Sequence, residues 1–389
     1  MKILLVSSKY HPEYSGSGYR AHKTYKRLEK KYGISFDIIS NSRIFTSNLF
    51  YEFDSKKIYR ISAPIKYFGE IKFLKYLSIV ISFFWENYFA WNFIRKHHKK
   101  YDLLHTFGNT FTIGFLTWYF SKKNKPVIRE LCNEMLNPFF PIQFERIFKK
   151  VFSREKSLVV AISNKLEKVA LSHGIKNIWS RPNPIEEKSF KIEYKNKFIL
   201  RQKITKFNKH HIVISCIANF TDNKNQIFLI DVFKNLPDKY RMILAGPLRN
   251  ENKVYFQLLK DKIKKLGLED KIYLKSGFIE NIDQYIKLSD VFLVPSKSEG
   301  MCTPILEAQS CGVPVISNFI ENVTDQYILP GEGGFCIKLD KKKWVRAILE
   351  VVKINKSILQ MNSKKIQKIA SSKIIDDLYY KKISSLIKL

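Results

Sequence analysis

Cysteine is scarce in this chain of 389 residues, and its arrangement argues against the usual cysteine-based structures. The five cysteines are odd in number and include no C-x-x-C pair; they are Cys132, Cys216, Cys302, Cys311 and Cys336. Disulfide frameworks and structural zinc sites use cysteines in sets with characteristic spacings. We therefore expect free thiols in a reducing cytosol and no zinc site.

Acidic residues are few relative to basic ones, since 35 Asp and Glu face 68 Lys and Arg and leave a net charge of +33. The excess runs through both halves of the chain and forms no tail. No helix-turn-helix, zinc-finger or RNP-like pattern is present, which disfavours nucleic acid as a partner. Two explanations stay open. One is an AT-rich coding bias; the other is an anionic membrane surface, which attracts each nearby basic residue by about 1 kcal/mol.

Length and composition predict two globular domains. An apolar fraction of 45% is typical of a folded protein, and the chain suits two domains of about 200 residues each. Residues 1–6 form a strand-length apolar run, so we expect a strand there and no signal peptide. Strands and helices alternate in both halves, on either side of the rigid Arg-Pro-Asn-Pro segment 181–184. We predict domains at 1–186 and 187–369.

Residues 76–94 are mostly aromatic and aliphatic, interrupted by Glu86, Asn87 and Asn92. Basic residues flank them on both sides: Lys72, Lys75, Arg95, Lys96, Lys99 and Lys100. A membrane-spanning helix is disfavoured by the acid in mid-span and by the strand-like residues 101–105 that follow. A buried helix pair and a helix lying in the lipid headgroup layer both remain open.

The most informative stretch is 290–317, DVFLVPSKSEGMCTPILEAQSCGVPVIS. It predicts a buried strand at 291–295, a loop, a helix with Thr303 as N-cap and Pro304 at its first position, and a second strand after Gly312. Ligands of open α/β sheets bind beyond the carboxyl ends of strands, where this loop lies. Helical side chains lean towards the N-terminus, so Glu307 would approach the loop that carries Glu299. Backbone amides between these two acids could bind phosphate, although an acid that only complements the helix dipole is an alternative.

The run EGMCTPILEAQSCGVPVI resembles the E-x7-E signature of retaining GT-B glycosyltransferases of the family 4 type. The resemblance implies an α/β fold of two doubly wound, Rossmann-like domains facing a central cleft, with a C-terminal helix at about 370–389 packed on the first domain. It also implies that Glu299 faces the donor sugar, that Glu307 holds the ribose, and that Gly300, Met301, Cys302 and Thr303 surround sugar and phosphate. Many relatives have glycine at the position of Cys302.

The same resemblance assigns the leaving diphosphate to Lys224, in the loop ANFTDNKN. Relatives carry an arginine five residues before this lysine, where this chain has Asn219. Arg249 is a conjectured substitute. No Asp-x-Asp pair stands at a suitable strand end, so we expect a metal-independent enzyme without a cofactor, its substrate being a UDP or GDP sugar.

Other candidate residues rest mainly on the resemblance. They are Gly16 and Gly18, in a loop before a helix and facing the donor; His105, beside the sugar or acceptor; and Gly277 and Phe278, at the nucleotide base. Relatives often carry a histidine at the strand end 127–134, which has none here. The possible replacements are Arg129, Glu130, Asn133 and Glu134.

We therefore predict a retaining hexosyltransferase, with Glu299, His105 and Lys224 as catalytic residues. Its acceptor would be a lipid-linked or growing glycan of capsule, lipopolysaccharide or O-antigen assembly, and its location the cytoplasmic face of the membrane as a peripheral protein. Two alternatives stay open: a GT-B enzyme with a soluble sugar acceptor, and a non-catalytic protein that binds nucleotide sugars.

Overall fold

The computed structural model describes residues 1–13, 15–42, 49–62, 72–134 and 143–389, and for residues 72–75 and 143–145 the backbone alone. The chain divides into two compact units. The first comprises Met1–Arg181 and Ile375–Leu389, and the second Pro182–Ile374. The division falls five residues before the predicted boundary at 186. The C-terminal residues, which the resemblance assigned to the first domain, group with the first unit.

The described part of the first unit contains an eight-stranded sheet in the order β3-β4-β2-β1-β5-β6-β7-β8, with all pairs parallel except β3 with β4. The strands are β1 Lys2–Ser7, β2 Ser35–Ser42, β3 Phe50–Phe53, β4 Lys56–Ser62, β5 Leu103–Phe107, β6 Val127–Leu131, β7 Ser157–Ala161 and β8 Ile178–Ser180. Every residue of β5, β6 and β7 is buried, as expected for parallel strands covered on both faces.

Helices connect these strands, and several begin at side-chain caps. They are α1 Gly16–Tyr32, α2 Lys72–His97, α3 Phe111–Lys122, α4 Gln143–Phe152 and α5 Asn164–Ser172. Ser15, Thr110 and Ser163 each accept a hydrogen bond from the backbone N–H three residues on, which satisfies a donor that the helix itself leaves unpaired.

The second unit contains a six-stranded parallel sheet in the order β11-β10-β9-β12-β13-β14. The strands are β9 Ile212–Ile217, β10 Tyr240–Gly246, β11 Ile272–Ser276, β12 Val291–Val294, β13 Val315–Asn318 and β14 Gly334–Ile337. Numbered within the unit, the order is 3-2-1-4-5-6, that of a doubly wound dinucleotide-binding sheet. The first unit has the same inner order around β1 and β5.

The remaining helices belong to the second unit or close the chain. They are α6 Lys197–Ile204, α7 Gln226–Phe233, α8 Lys253–Lys265, α9 Ile282–Lys287, α10 Thr303–Ser310, α11 Lys341–Val351, α12 Lys356–Ala370 and α13 Ser372–Lys388. Short 3-10 turns lie at His98–Lys100, Tyr194–Asn196, Asp222–Lys224 and Asn250–Asn252. The prediction of two doubly wound α/β domains is confirmed.

Two local predictions need correction. Gly16 and Gly18, expected in the loop before a helix, lie inside the first turn of α1, because Ser15 caps this helix and it begins at Gly16. The aromatic segment 76–94, for which a buried helix pair was one alternative, is instead part of a single 26-residue helix, α2. Within the described residues, no helix combines the length and apolar character needed to cross a membrane.

Candidate functional site in the second unit

The predicted donor residues lie after two neighbouring strands at the point where the strand order reverses. β9 and β12 pair in the centre of the second sheet, and their crossovers run in opposite directions. Lys224 follows β9, and Glu299 follows β12. In open α/β sheets this switch point forms a crevice at the carboxyl ends of the strands. The topology therefore brings these two residues to one place.

Lys224 and Glu299 form an ion pair in which the ammonium of Lys224 donates to Oε1 of Glu299. Their side chains retain 26% and 12% exposure, so a ligand can reach the pair. Burial alone would lower the pKa of Lys224, but the Glu299 carboxylate outweighs it and the net shift is upward. Lys224 is therefore a fixed positive charge at neutral pH.

Asn223 connects the two loops that carry this pair. Its side-chain amide donates to the carbonyl of Ser298 at 2.9 Å, and its Oδ1 accepts from the Ser298 N–H at 3.1 Å. The backbone adds a bond from the Lys297 N–H to the Asn223 carbonyl at 2.8 Å. Sequence reasoning did not identify Asn223. The sequence gives no sign of its role, because its partners lie 75 residues away.

Helix α10 starts directly after the Glu299 loop and presents backbone donors. Among the described residues, the amides of Gly300, Met301, Cys302 and Thr303 have no hydrogen-bond acceptor, and the first bonded amide is that of Ile305, to Cys302 O at 3.1 Å. A helix N-terminus with unpaired N–H groups is favourable for a phosphate. This position suits the role that the resemblance gave to residues 300–303.

The prediction that Thr303 caps α10 is wrong. Thr303 is the first residue of the helix, and the cap position belongs to Cys302, which makes no side-chain capping bond. The Thr303 hydroxyl instead accepts a hydrogen bond from Nδ2 of buried Asn183 at 2.8 Å. Asn183 belongs to the Arg-Pro-Asn-Pro segment, so this segment holds the first turn of α10. Glu307 is half-buried one helical turn beyond Thr303, on the same face.

Cys302, the residue that departs from the family pattern, turns its side chain into the core. It is 4% exposed and packs in the hydrophobic cluster that contains Ile305 and Ala308. Burial raises the pKa of its thiol well above the usual range, so the thiol stays protonated. The extra side chain is therefore accommodated inside the domain.

The other predicted residues of this unit lie in loops that follow strands β9, β10 and β11. Asn219 comes just after β9, and its carbonyl accepts from Gln226 Nε2 at 2.9 Å. Gly277 has φ +127°, which favours glycine, and Phe278 beside it is exposed. Arg249 precedes the turn Asn250–Asn252, with Glu251 at 3.7 Å. Its compensation for the arginine replaced by Asn219 stays a prediction.

Gly18 in the first unit is explained by packing. A Cβ at this position would lie 2.5 Å from the carbonyl oxygen of Lys9, so only glycine lets α1 approach the preceding loop. Its N–H is bonded to Oγ of Ser15 at 3.1 Å. A Cβ at Gly16 would meet nothing within 4 Å. A donor contact at either glycine stays a prediction.

His105 lies in the core, which does not fit the predicted contact with donor or acceptor. The side chain is 0% exposed, and Nδ1 bonds to the Tyr25 hydroxyl at 2.8 Å. Burial lowers the pKa of His105 to about 3, so the ring is neutral at physiological pH. A side chain without solvent access cannot touch a substrate unless the domain opens.

Glu130, one of the proposed replacements for the family histidine, is also fully buried. Arg20 donates to its Oε1 at 3.0 Å, and Arg181 and the Tyr379 hydroxyl donate to Oε2, both at 2.6 Å. Burial alone would raise the pKa of Glu130, but the arginines outweigh it and lower the pKa to about 2. This cluster ties α1, β6 and α13 together, and a catalytic role for Glu130 stays a prediction.

The other three possible replacements have protein partners as well. Arg129 is buried and donates to the Gly108 carbonyl at 3.2 Å. Asn133 accepts from Asn109 at 3.0 Å, and Glu134 pairs with Lys165 at 2.5 Å. None of the described residues forms a group of three or more His, Cys, Asp or Glu side chains that could hold a metal ion. Metal independence stays a prediction.

The second unit matches a known family model, and the whole chain matches solved structures. Residues 197–368 match the family described as Glycosyl transferases group 1. The chain is 30% identical over 164 residues to the UDP-Gal:alpha-D-GlcNAc-diphosphoundecaprenol alpha-1,3-galactosyltransferase of Escherichia coli, covering 40% of each chain. It is 25% identical over 224 residues to the capsular polysaccharide biosynthesis glycosyltransferase CapH of Staphylococcus aureus, covering 56% of this chain and 60% of that protein.

Among solved structures, Anabaena HepE in complex with UDP matches with a TM-score of 0.76 at 17% identity, over 99% of this chain and 100% of that one. The fold is therefore GT-B, with two Rossmann-like domains. The alignments with the two curated relatives span only about half of their length, from 40% to 60%.

Proposed function

We propose that this chain is a retaining glycosyltransferase that moves a sugar from a nucleoside diphosphate donor to a glycan acceptor. The proposal is carried by the Lys224–Glu299 pair, which lies at the switch point of the second sheet. Next to it, four amides at the start of α10 have no acceptor among the described residues. An ammonium and consecutive N–H donors are suited to a diphosphate.

Each charged group has a distinct part in the proposed reaction. When the bond between the sugar and the diphosphate breaks, negative charge grows on the leaving phosphate. Lys224 and the amides of residues 300–303 stabilise that charge without a metal ion. Glu299 orients the donor sugar and stabilises the positive charge that develops on its ring. Glu307 accepts hydrogen bonds from the ribose hydroxyls.

The ion pair balances the charge of the proposed donor site. Lys224 and Glu299 neutralise each other in this structure, where both side chains are partly buried. A bound diphosphate would compete for Lys224, and the carboxylate of Glu299 would turn to the sugar. The UDP-bound HepE structure supports a UDP sugar as the first donor to test.

The acceptor we propose is a lipid-linked or growing glycan of surface polysaccharide assembly. The name of the E. coli relative specifies a diphosphoundecaprenol-linked acceptor, and CapH is named for capsular polysaccharide biosynthesis. A lipid-linked acceptor would place the protein at the inner face of the cell membrane as a peripheral enzyme.

A panel of nucleotide sugars tests the donor site first. The cognate donor should raise the Tm by mass action. Transfer and donor hydrolysis are then measured with that donor. Glu299→Ala should lower kcat by about 10²- to 10³-fold, the range for loss of one electrostatic group. Glu307→Ala should raise the donor KM about tenfold or more, since a hydrogen bond to a charged group contributes about 1.5–3 kcal/mol.

Glu269→Ala is the matched control, because Glu269 is an exposed acid before β11, at the opposite end of the strand. It should leave both constants unchanged. Donor binding without any transfer or hydrolysis would contradict the enzyme assignment and favour a binding protein. Transfer to a free sugar in place of a lipid-linked glycan would favour a soluble acceptor.

A further inference from the structure

Helix α2 carries a continuous apolar surface that is exposed to solvent. Six of its side chains are between 44% and 67% exposed: Tyr76, Leu77, Val80, Phe84, Tyr88 and Trp91. With about 100° between successive residues, they occupy about a third of the helix circumference. We call these six side chains the aromatic face.

Helix α3 extends this surface beyond a single helix. The ring centroids of Trp91 and Phe115 are 6.4 Å apart, and those of Phe115 and Trp118 are 6.0 Å apart. Trp118 is itself 37% exposed, and the ammonium of Lys122 lies 5.9 Å from its ring centroid. The apolar surface therefore ends at a cation.

The one acid of residues 72–100, Glu86, is turned away from the aromatic face. Its Oε2 accepts from the N–H of Thr112 at 3.1 Å and from the Thr112 hydroxyl at 3.3 Å, inside the fold. Burial raises its pKa to about 7. Glu86, the acid that argues against a membrane-spanning helix, therefore lies away from the aromatic face, and the outer face of α2 carries no carboxylate.

Basic residues border the same surface. Arg95, Lys96, Lys99 and Lys100 are exposed at the end of α2 and in the turn that follows. From residue 72 to 125 the sequence contains nine Lys and Arg but only two acids, Glu86 and Asp102. An apolar strip bordered by cations is complementary to a surface that is oily within and negatively charged outside.

We propose that the aromatic face docks on an anionic lipid surface, with α2 lying in the headgroup layer. Phe84, Leu77 and Val80 enter the apolar layer, and the polar tips of Tyr76, Tyr88 and Trp91 stay at its boundary. A second copy of the chain fits less well, because it would bring two basic borders together without acids between them. The proposal stands on α2 and its surroundings and does not depend on sugar transfer.

Flotation with lipid vesicles tests the proposal on the full-length protein without any nucleotide. Vesicles of phosphatidylcholine with 30% phosphatidylglycerol should bind the protein, and vesicles of pure phosphatidylcholine should bind it much more weakly. Phe84→Ser with Tyr88→Ser should weaken binding at least tenfold, since each buried aromatic side chain contributes strongly. Arg95→Gln with Lys96→Gln should weaken it by about tenfold or more on anionic vesicles only.

The matched control is a pair of exposed apolar residues on α8 of the second unit, Val254 and Leu258. Val254→Ser with Leu258→Ser should leave vesicle binding unchanged. All these residues are exposed, so an unchanged Tm should show that each variant folds. If the Val254→Ser, Leu258→Ser variant lost as much vesicle binding as the Phe84→Ser, Tyr88→Ser variant, the proposal would be overturned. The absence of vesicle binding by the unaltered protein would overturn it as well. A dimer that becomes monomeric in the Phe84→Ser, Tyr88→Ser variant, without vesicle binding, would assign the face to a second copy.

Discussion

The two units share the inner strand order of their sheets but use charge at the carboxyl ends of their strands in opposite ways. In the first unit, Glu130 at the end of β6 is 1% exposed and is bound by two arginines and a tyrosine. In the second, Lys224 and Glu299 neutralise each other but remain partly exposed. Close by, the amides of residues 300–303 have no acceptor among the described residues.

The difference shows that fold and function are separate inferences. A doubly wound sheet offers a place for ligands beyond its strand ends, but side chains decide whether that place is open. In the first unit, Tyr379 of α13 completes the Glu130 cluster, so the carboxylate there is bound by the protein's own donors. In the second unit, the charges lie beside donors that the protein leaves unpaired.

The largest expected effect on stability is that of Glu130→Ala. Removal of one partner of a buried ion pair typically costs about 3–5 kcal/mol, because the other charges stay buried without compensation. Here Arg181 loses its carboxylate, and Arg20 loses one too. Urea unfolding followed by tryptophan fluorescence should report the loss, since Trp179 packs against Tyr379 with ring centroids 4.8 Å apart.

Glu299→Ala is the comparison variant for that experiment. Its partner Lys224 keeps 26% side-chain exposure and can reach water, so the free energy of unfolding should fall by clearly less than it does for Glu130→Ala. If the two variants lost equal stability, the contrast between the buried charges of the first unit and the partly exposed charges of the second would be untenable.

A second test compares Glu130 with Glu86, a half-buried acid of the same unit whose surroundings differ. Glu130 faces cations, whereas Glu86 is bound by dipoles, among them the N–H and hydroxyl of Thr112 and the side chain of Asn41. Burial therefore raises the pKa of Glu86 from its ordinary 4.5 to about 7. The folded state holds this proton more tightly than the unfolded state does. The stability due to Glu86 is therefore present below pH 4.5 and is lost as the pH rises to 7.

The shift corresponds to a loss of about 3 kcal/mol across that window, at about 1.4 kcal/mol for each pH unit. Glu86→Gln keeps the acceptor oxygen and removes the titration. The free energy of unfolding, measured by urea at pH 4.5 and pH 8, should therefore fall less in the variant. Glu167→Gln, at a surface position in α5, is the control and should follow the unaltered protein. Parallel pH curves for the Glu86 variant and the unaltered protein would contradict the assignment.

Local patterns in the sequence were sufficient for the architecture and for much of the candidate site. The strand, loop and helix around Glu299 follow from an apolar run, a helix-starting proline and a glycine stop, all signals within a few residues. The predictions that failed or fit poorly depended on distant partners. His105 meets Tyr25 from 80 residues away, and Thr303 meets Asn183 from 120 residues away. No periodicity or motif reports such pairs, because they exist only after the chain has folded.

Asn223 gives the test with the smallest expected effect, at the carboxyl ends of β9 and β12 in the second unit. Asn223→Ala removes two hydrogen bonds between the Lys224 and Glu299 loops and leaves the backbone bond from Lys297 in place. Each of these hydrogen bonds typically contributes about 1 kcal/mol. Because they join the two loops that are proposed to bind the donor, we expect their removal to raise the donor KM roughly tenfold, with little change in Tm. Asn223→Asp keeps only the bond from Ser298 N–H and should give a donor KM between those of Asn223→Ala and the unaltered protein.

Asn208→Ala is the control. It removes a comparable loop bond from His210 N–H at 2.9 Å, before β9 and away from its carboxyl end, and should leave the donor KM unchanged. If Asn223→Ala behaved like Asn208→Ala, the two loops would not need this link to bind the donor, and Asn223 would be an ordinary turn residue.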